Sequence, residues 1–213
     1  MKDRCASERK IGMNKIEGLT SAILLEADGF LSHSCPVMAS LIRQYAPCTL
    51  INGAFFPFKT LVNAIISQQL ATKVADRIKC QVQIIVSDFT PADFLATSPE
   101  LLRSAGLSAA KIRYITVLAQ HVNDGKLDLE TLQYLSDKEI ITILVALPGI
   151  GQWTAEMFLI FGLHRPDVLP IGDVGLQRAI RLLFGDDARI EDVGQRWRPF
   201  CSVASWYLWR SLS

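Results

Sequence analysis

With 213 residues, 50% of them hydrophobic and 20% charged, the chain can bury a full core, as one compact domain or as two small lobes sharing a cleft. Its formal net charge of +1 neither reveals nor excludes a nucleic-acid partner. The longest apolar stretches, such as residues 140–147, are far too short to span a bilayer as a helix. The first 17 residues carry Lys2, Asp3, Arg4, Glu8, Arg9, Lys10 and Lys15 and lack the apolar core of a signal peptide, so a soluble intracellular protein is expected.

Five cysteines (Cys5, Cys35, Cys48, Cys80, Cys201) form no CxxC pair. That pattern argues against a disulfide scaffold, a zinc site or a four-cysteine iron–sulfur cluster, and for buried free thiols. No metal and no cofactor is expected. Residues 57–126 hold Lys59, Lys73, Arg77, Lys79, Arg103, Lys111, Arg113 and Lys126 against five acids, whereas residues 141–213 contain no lysine. Such a segment suits a DNA-binding face, and equally a solvated helical one.

In chain order, residues 1–17 read as a flexible tail; Met13 lies inside it, so Met1 and Met13 are both candidate starts. The remainder, 18–213, reads as the folded part. Short strand signals fall at 48–51 and 84–86. Apolar residues at Leu61, Val62, Ile65, Ile66, Leu70, Val74, Ile78 and Val82 follow helical spacing, with a break near 68–71 that makes two helices with a polar elbow. Thr90-Pro91 and Ser98-Pro99 each set a capping side chain before a proline suited to the first helical position. Ser108 opens a helix through His121, stopped by the turn Asn123-Asp124-Gly125. Ser136 and Glu139 form a capping box before the apolar run 140–147. The class is all-α, with nine or ten short helices.

The most informative stretch is LPGIGQWTA at 147–155, between two apolar helical runs. Its glycines, two residues apart, permit positive φ and close approach of another molecule to the backbone. Unpaired N–H groups at the start of the next helix then offer a phosphate seat, which carries no base-sequence information. A plain helix–helix turn with a glycine cap has the same spacing. Beyond it, Asp173 stands just before the helical pattern 176–184. There it is an ordinary capping aspartate, or a carboxylate held as an anion for chemistry.

Taken together, FKTLVNAIISQQLA (58–71), LRSAGLSAAKIRYI (102–115), LPGIGQWTA (147–155), LPIGDVGLQRAI (169–180) and WRPFCSVASWYLW (197–209) resemble the helix–hairpin–helix (HhH-GPD) superfamily of base-excision DNA glycosylases. The likeness is greatest to the 3-methyladenine DNA glycosylase II type. It runs from about residue 36 to the end, in the family's order. It implies two helical lobes with a cleft between them, and a glycosylase domain over 18–213. Only about 35 residues precede the first matching helix, too few for the extra N-terminal α/β domain of some relatives.

The resemblance makes Asp173, twenty positions after Trp153, the catalytic residue. Cleaving an N-glycosidic bond makes the deoxyribose oxocarbenium-like, and a nearby carboxylate stabilises that charge. An alkylated purine already carries positive charge and departs readily, so one carboxylate suffices. Bifunctional relatives resembling endonuclease III hold a lysine where Trp153 stands; without that amine no Schiff base forms, and no β-lyase activity is expected. Trp153 and Trp209 line the base pocket by the same likeness, although each also suits a core; Trp197 and Trp206 are assigned to the core. Met157 and Val174 take pocket positions that can be aromatic in relatives. Gly149, Ile150, Gly151 and Thr154 are the expected DNA contacts of the hairpin, with a monovalent cation conceivable on carbonyls near Leu147 and Ile150. Gln69, with Leu70 second, is the expected wedge that fills the gap left by a flipped base.

The implied activity is hydrolysis of 3-methyladenine or 7-methylguanine from duplex DNA by a monomer. It would work in the cytoplasm of a prokaryote, at the nucleoid, or in the nucleus of a eukaryote. A glycosylase for uracil, deaminated or oxidised bases is the rival within the enzyme class. A non-catalytic DNA-binding module, which needs neither Asp173 nor the tryptophans, is the rival outside it.

Overall fold

The computed structural model describes residues 15–51 and 55–212. Residues 1–14 of the expected tail lie outside the described residues, and residues 15–17 are exposed and not helical. All regular structure among the described residues is helical. The α-helices are α1 (Ser21–Ser34), α2 (Pro36–Tyr45), α3 (Pro57–Ser67), α4 (Thr72–Ile85), α5 (Pro91–Ala96), α6 (Pro99–Ser104), α7 (Ala109–Asn123), α8 (Asp137–Val145), α9 (Gln152–Phe161), α10 (Val174–Phe184), α11 (Ile190–Gly194) and α12 (Cys201–Arg210). Two 3-10 turns, Thr131–Tyr134 and Gln195–Trp197, complete the set. No described helix is long and apolar enough to cross a membrane.

Local chemistry sets most helix starts. Thr90, Ser98, Ser108 and Ser136 accept N–H bonds from Asp93, Leu101, Lys111 and Glu139, each three residues on. Capping boxes close at both Thr90 and Ser136. The strand signal at 84–86 fails because Ile84 and Ile85 finish α4, whose three-and-four apolar spacing carries through them. Residues 48–51 form no strand either. Among the described residues twelve α-helices stand against the nine or ten expected, since α5, α6 and α11 are too short to show a period. Helix α8 stops at Val145, short of Pro148, whose ring disfavours helical backbone at Leu147.

The chain divides into two compact helical units. Among the described residues one comprises 15–16 and 56–158, the other 17–51, 55 and 159–212. In the first, α3 packs on α4 and α7, and α5 on α7. Leu61, Val62, Ile65 and Ile66 of α3 have no exposed surface, and Phe94 meets Phe58 and Phe89 edge-on. Each such aliphatic contributes about 1.5–3 kcal/mol on burial, and α3 has no side-chain cap, so packing is what holds it.

In the second unit α12 packs on α1, α2 and α10, burying Val203, Ala204, Tyr207 and Leu208 completely. Trp197 is fully buried as expected, whereas Trp206 is half-buried with Arg210 over its ring. Cys35, Cys48 and Cys201 are buried free thiols, but Cys80 is exposed. The Tyr207 hydroxyl donates to Asp28 Oδ1 at 2.8 Å. Burial pushes the Asp28 carboxyl above the ordinary carboxylate range, partly offset by that hydrogen bond.

A carboxyl whose pKa rises on folding adds stability while protonated and loses it as pH climbs through the folded value. Asp28→Asn, which keeps an acceptor for Tyr207, is therefore expected to equal or exceed the parent in thermal stability at neutral pH. The gap should close on acidification; a variant less stable at neutral pH would contradict this reading of Asp28.

Candidate active site

The hairpin occupies residues 146–151 of the first unit, between α8 and α9. Ile150 N–H donates to Leu147 O at 3.2 Å, closing the turn. Gly149 has φ +81°, and a Cβ there would lie 2.1 Å from Tyr114 Cγ, so the turn rests directly on that ring. Gly151 differs. It keeps ordinary φ, and a Cβ would meet nothing within 4 Å. The two glycines thus answer different demands: Gly149 is required by the fold, and Gly151 leaves the backbone open beside the first turn of α9. That turn carries the positive dipole end of a ten-residue helix.

The four hairpin residues expected at DNA are not alike in exposure. Ile150 is buried, and Thr154 is 1% exposed with its hydroxyl accepting from Gln68 Nε2 at 2.8 Å. Neither side chain is open to solvent. Trp153 is half-buried and Met157 is buried on the same helix. Glu156, also buried, accepts from Gln152 Nε2 at 2.9 Å, one turn back along α9. Leu147 O and Gly149 O, near the conceivable cation position, accept from Ile150 N–H and from Gln68 Nε2 at 2.8 Å. Among the described residues no group of three or more His, Cys, Asp or Glu is placed to hold a metal ion.

The elbow at 68–70 lies in the same unit. Gln69 is exposed with φ +56°, a conformation that costs a non-glycine residue about 1–3 kcal/mol and persists where its surroundings impose it. Leu70 is 36% exposed. Lys111 Nζ donates to Ile66 O at 2.8 Å and Gln68 O at 3.0 Å. Burial pulls its ammonium below the ordinary lysine pKa.

In the second unit Asp173 caps α10. Its Oδ1 accepts the Leu176 N–H at 2.6 Å and the Trp209 Nε1–H at 2.9 Å, and the residue is 8% exposed. A Cβ at Gly175 would stand 3.2 Å from that oxygen and 3.6 Å from Trp209 Cδ1, so glycine there leaves room for the pair. Helix α12 braces the same region twice: it carries Trp209, and its Ser202 Oγ accepts the Val168 N–H at 3.0 Å in the loop leading to Asp173. Trp209 stacks on Phe161 at 5.7 Å and 28°. Phe161, Ile171 and Val174 are all exposed, Val174 at 76%.

The second unit therefore brings Asp173, Trp209 and Val174 together, and the first holds the hairpin, Trp153, Met157, Gln69 and Leu70. Sequence reasoning missed Gln68, Tyr114, Gly175 and Phe161, and counted Lys111 only as surface charge. The one available signal was Gln68 itself, adjacent to the proposed wedge.

An all-helical chain with this glycine hairpin and a tryptophan-bonded capping aspartate has the architecture of a base-excision DNA repair fold. The family of HhH-GPD superfamily base excision DNA repair proteins matches residues 62–197, and the chain belongs to that superfamily. It is 32% identical over 168 residues to DNA-3-methyladenine glycosylase 1 of Schizosaccharomyces pombe, covering 73% of this chain and 72% of that one. It is 39% identical over 116 residues to YfjP of Bacillus subtilis, covering 52% of this chain but only 40% of that protein's length. Among solved structures, the S. pombe 3-methyladenine DNA glycosylase Mag1 in complex with abasic DNA aligns with TM-score 0.75 at 29% identity, over 87% of this chain and 96% of that one.

The contrast between the two glycines is testable by urea unfolding. Gly149→Ala, which drives a methyl into Tyr114 at positive φ, should cost about 1–3 kcal/mol. Gly151→Ala should stay within about 0.5 kcal/mol of the parent. Equal costs would show that the turn does not rest on Tyr114 as described.

Proposed function

We propose that the protein is a monofunctional DNA glycosylase that hydrolyses the N-glycosidic bond of alkylated purines in duplex DNA and leaves an abasic site. The observation that carries this reading is the state of Asp173, a buried carboxylate with Oδ1 engaged by a helix N–H and an indole N–H. Charge-assisted donors of this kind offset the loss of water around an anion and fix its direction. A carboxylate so held can stabilise positive charge as the sugar becomes oxocarbenium-like, then orient the water that adds to C1′. The N-glycosidic bond breaks with its electron pair leaving on the base. A base made cationic by alkylation thereby departs neutral without an acid, and the proton lost by the water goes to solvent or Asp173.

The other residues have distinct tasks. The open backbone at Gly149 and Gly151 takes a phosphate at the start of α9. Gln69, or Leu70, fills the space left when the damaged nucleotide turns out of the stack. Trp153, with Met157 on the same helix of the first unit, and Trp209, with Val174 in the second, each offer a π face to an electron-poor base. Phe161, stacked behind Trp209, sets the tilt of that face. Trp153 has no amine, so the sugar forms no Schiff base and the strand is not cut. The names of the relatives, 3-methyladenine glycosylases, support alkylpurines over uracil or oxidised bases. A bare DNA-binding module would have no use for a tryptophan bonded to a buried carboxylate. The protein acts as a monomer where DNA is kept: at the nucleoid in a prokaryote, or in the nucleus in a eukaryote. The folded repair domain spans 18–213.

Methylated duplex DNA should lose 3-methyladenine and 7-methylguanine to the protein, measured by chromatography of the released bases. Asp173→Asn, which keeps a capping oxygen, should slow release by about 10²–10³-fold, the scale of losing one electrostatic stabiliser. Equal release by both forms would sink the assignment of Asp173. Borohydride should trap no covalent adduct; a trapped one would refute monofunctional chemistry.

A further inference from the structure

The elbow and the hairpin are 81 positions apart in the chain, yet one set of hydrogen bonds ties them together. Gln68 Nε2 donates to Gly149 O and to Thr154 Oγ1, both at 2.8 Å. A carbonyl accepts and cannot donate, so Gly149 fixes which way the Gln68 amide faces. The main chain of the elbow is held from α7, where Lys111 Nζ donates to Ile66 O and Gln68 O. Three residues along the same helix, Tyr114 lies against Gly149. Helix α7 therefore grips the elbow with one side chain and seats the hairpin on another.

Gln69 stands among these anchors, exposed at φ +56°. Residues 67–71 contain no glycine or proline, so nothing local demands this left-handed residue. Such backbone persists where neighbouring contacts over-determine it. Here those contacts are the two carbonyl bonds from Lys111 and the reach of Gln68 to the hairpin.

We propose that Gln68 and Lys111 are positioning residues for base extrusion: they lock the elbow that carries Gln69 onto the hairpin, so that phosphate seat and wedge meet DNA as one rigid piece. This rests on the glycosylase reading of the site. With the lock intact, a phosphate on the hairpin fixes where Gln69 enters the stack. With it broken, the hairpin still holds DNA, but the wedge must be ordered anew at each extrusion.

The test uses the full chain with Gln68→Leu, Gln68→Glu, Lys111→Met and Lys111→Arg. Three quantities are read: affinity for undamaged duplex, 2-aminopurine fluorescence beside a tetrahydrofuran abasic site as a report of unstacking, and single-turnover base release at saturating enzyme. Gln68→Leu and Lys111→Met should keep duplex affinity within about threefold while release and the unstacking signal fall about 10–100-fold, the scale of a small misplacement of a reacting group. Gln68→Glu, similar in size but presenting no donor to the Gly149 carbonyl, should be as poor as Gln68→Leu. Lys111→Arg, which retains donors, should recover most of the loss. Wild-type release by the variants overturns the proposal. So does a parallel loss of affinity and release, or failure of the variants to fold, since either makes the two residues merely structural. If the parent released no alkylated base, the glycosylase reading would fall, and the unstacking signal would still judge Gln68 and Lys111 alone.

Discussion

Asp173 Oδ1 accepts two N–H donors, one from the first turn of the helix it caps and one from the Trp209 indole. Much of the second unit follows from keeping that oxygen in place. Gly175 leaves room where a side chain would crowd it, and α12 both carries Trp209 and pins the loop that leads to Asp173. Phe161 backs the indole. The cap gives a charged group a fixed direction in a buried setting, which a surface aspartate on a free rotamer would lack. Structural and chemical roles here are the same hydrogen bonds, so a change that keeps the cap while removing the charge separates them.

The first unit is built around backbone. Its hairpin offers amides, and the elbow offers a residue in a conformation that its own sequence does not favour. Both are steadied by side chains whose partners are main-chain oxygens: Gln68 on Gly149, and Lys111 on Ile66 and Gln68. DNA contact through amides reads phosphate position and ignores base sequence, which suits a protein that must meet damage in any context. In the proposed function, discrimination then falls to the aromatic faces and to the leaving ability of the base.

How far the sequence disclosed this depends on the range of each interaction. The caps at Thr90, Ser98, Ser108, Ser136 and Asp173 were legible because donor and acceptor lie three residues apart. The elbow was legible as a polar break in an apolar period. The bracing by Gln68, Lys111 and Tyr114 was not, since a carbonyl acceptor leaves no mark on residue identity and the partners are 43 to 86 positions away where hydrogen-bonded. Spacing could not tell Gly149 from Gly151; only the ring beneath Gly149 does so. Thr154 reads from its place in the motif as a DNA contact, yet its hydroxyl faces inward to Gln68. The strand signal at 84–86 failed because Ile84 and Ile85 complete the last turn of α4.

The central claim is that Asp173 stabilises positive charge on the sugar, and a pair of stable mimics tests it directly. Binding is measured to two duplexes, one with a neutral tetrahydrofuran at the abasic position and one with a cationic pyrrolidine. Since binding energy that serves catalysis is directed at the transition state, the protein should hold the cationic duplex more tightly than the neutral one. That preference should vanish in Asp173→Asn while affinity for the neutral duplex is kept. Equal affinity of the parent protein for both duplexes, or a preference that survives Asp173→Asn, would contradict the account.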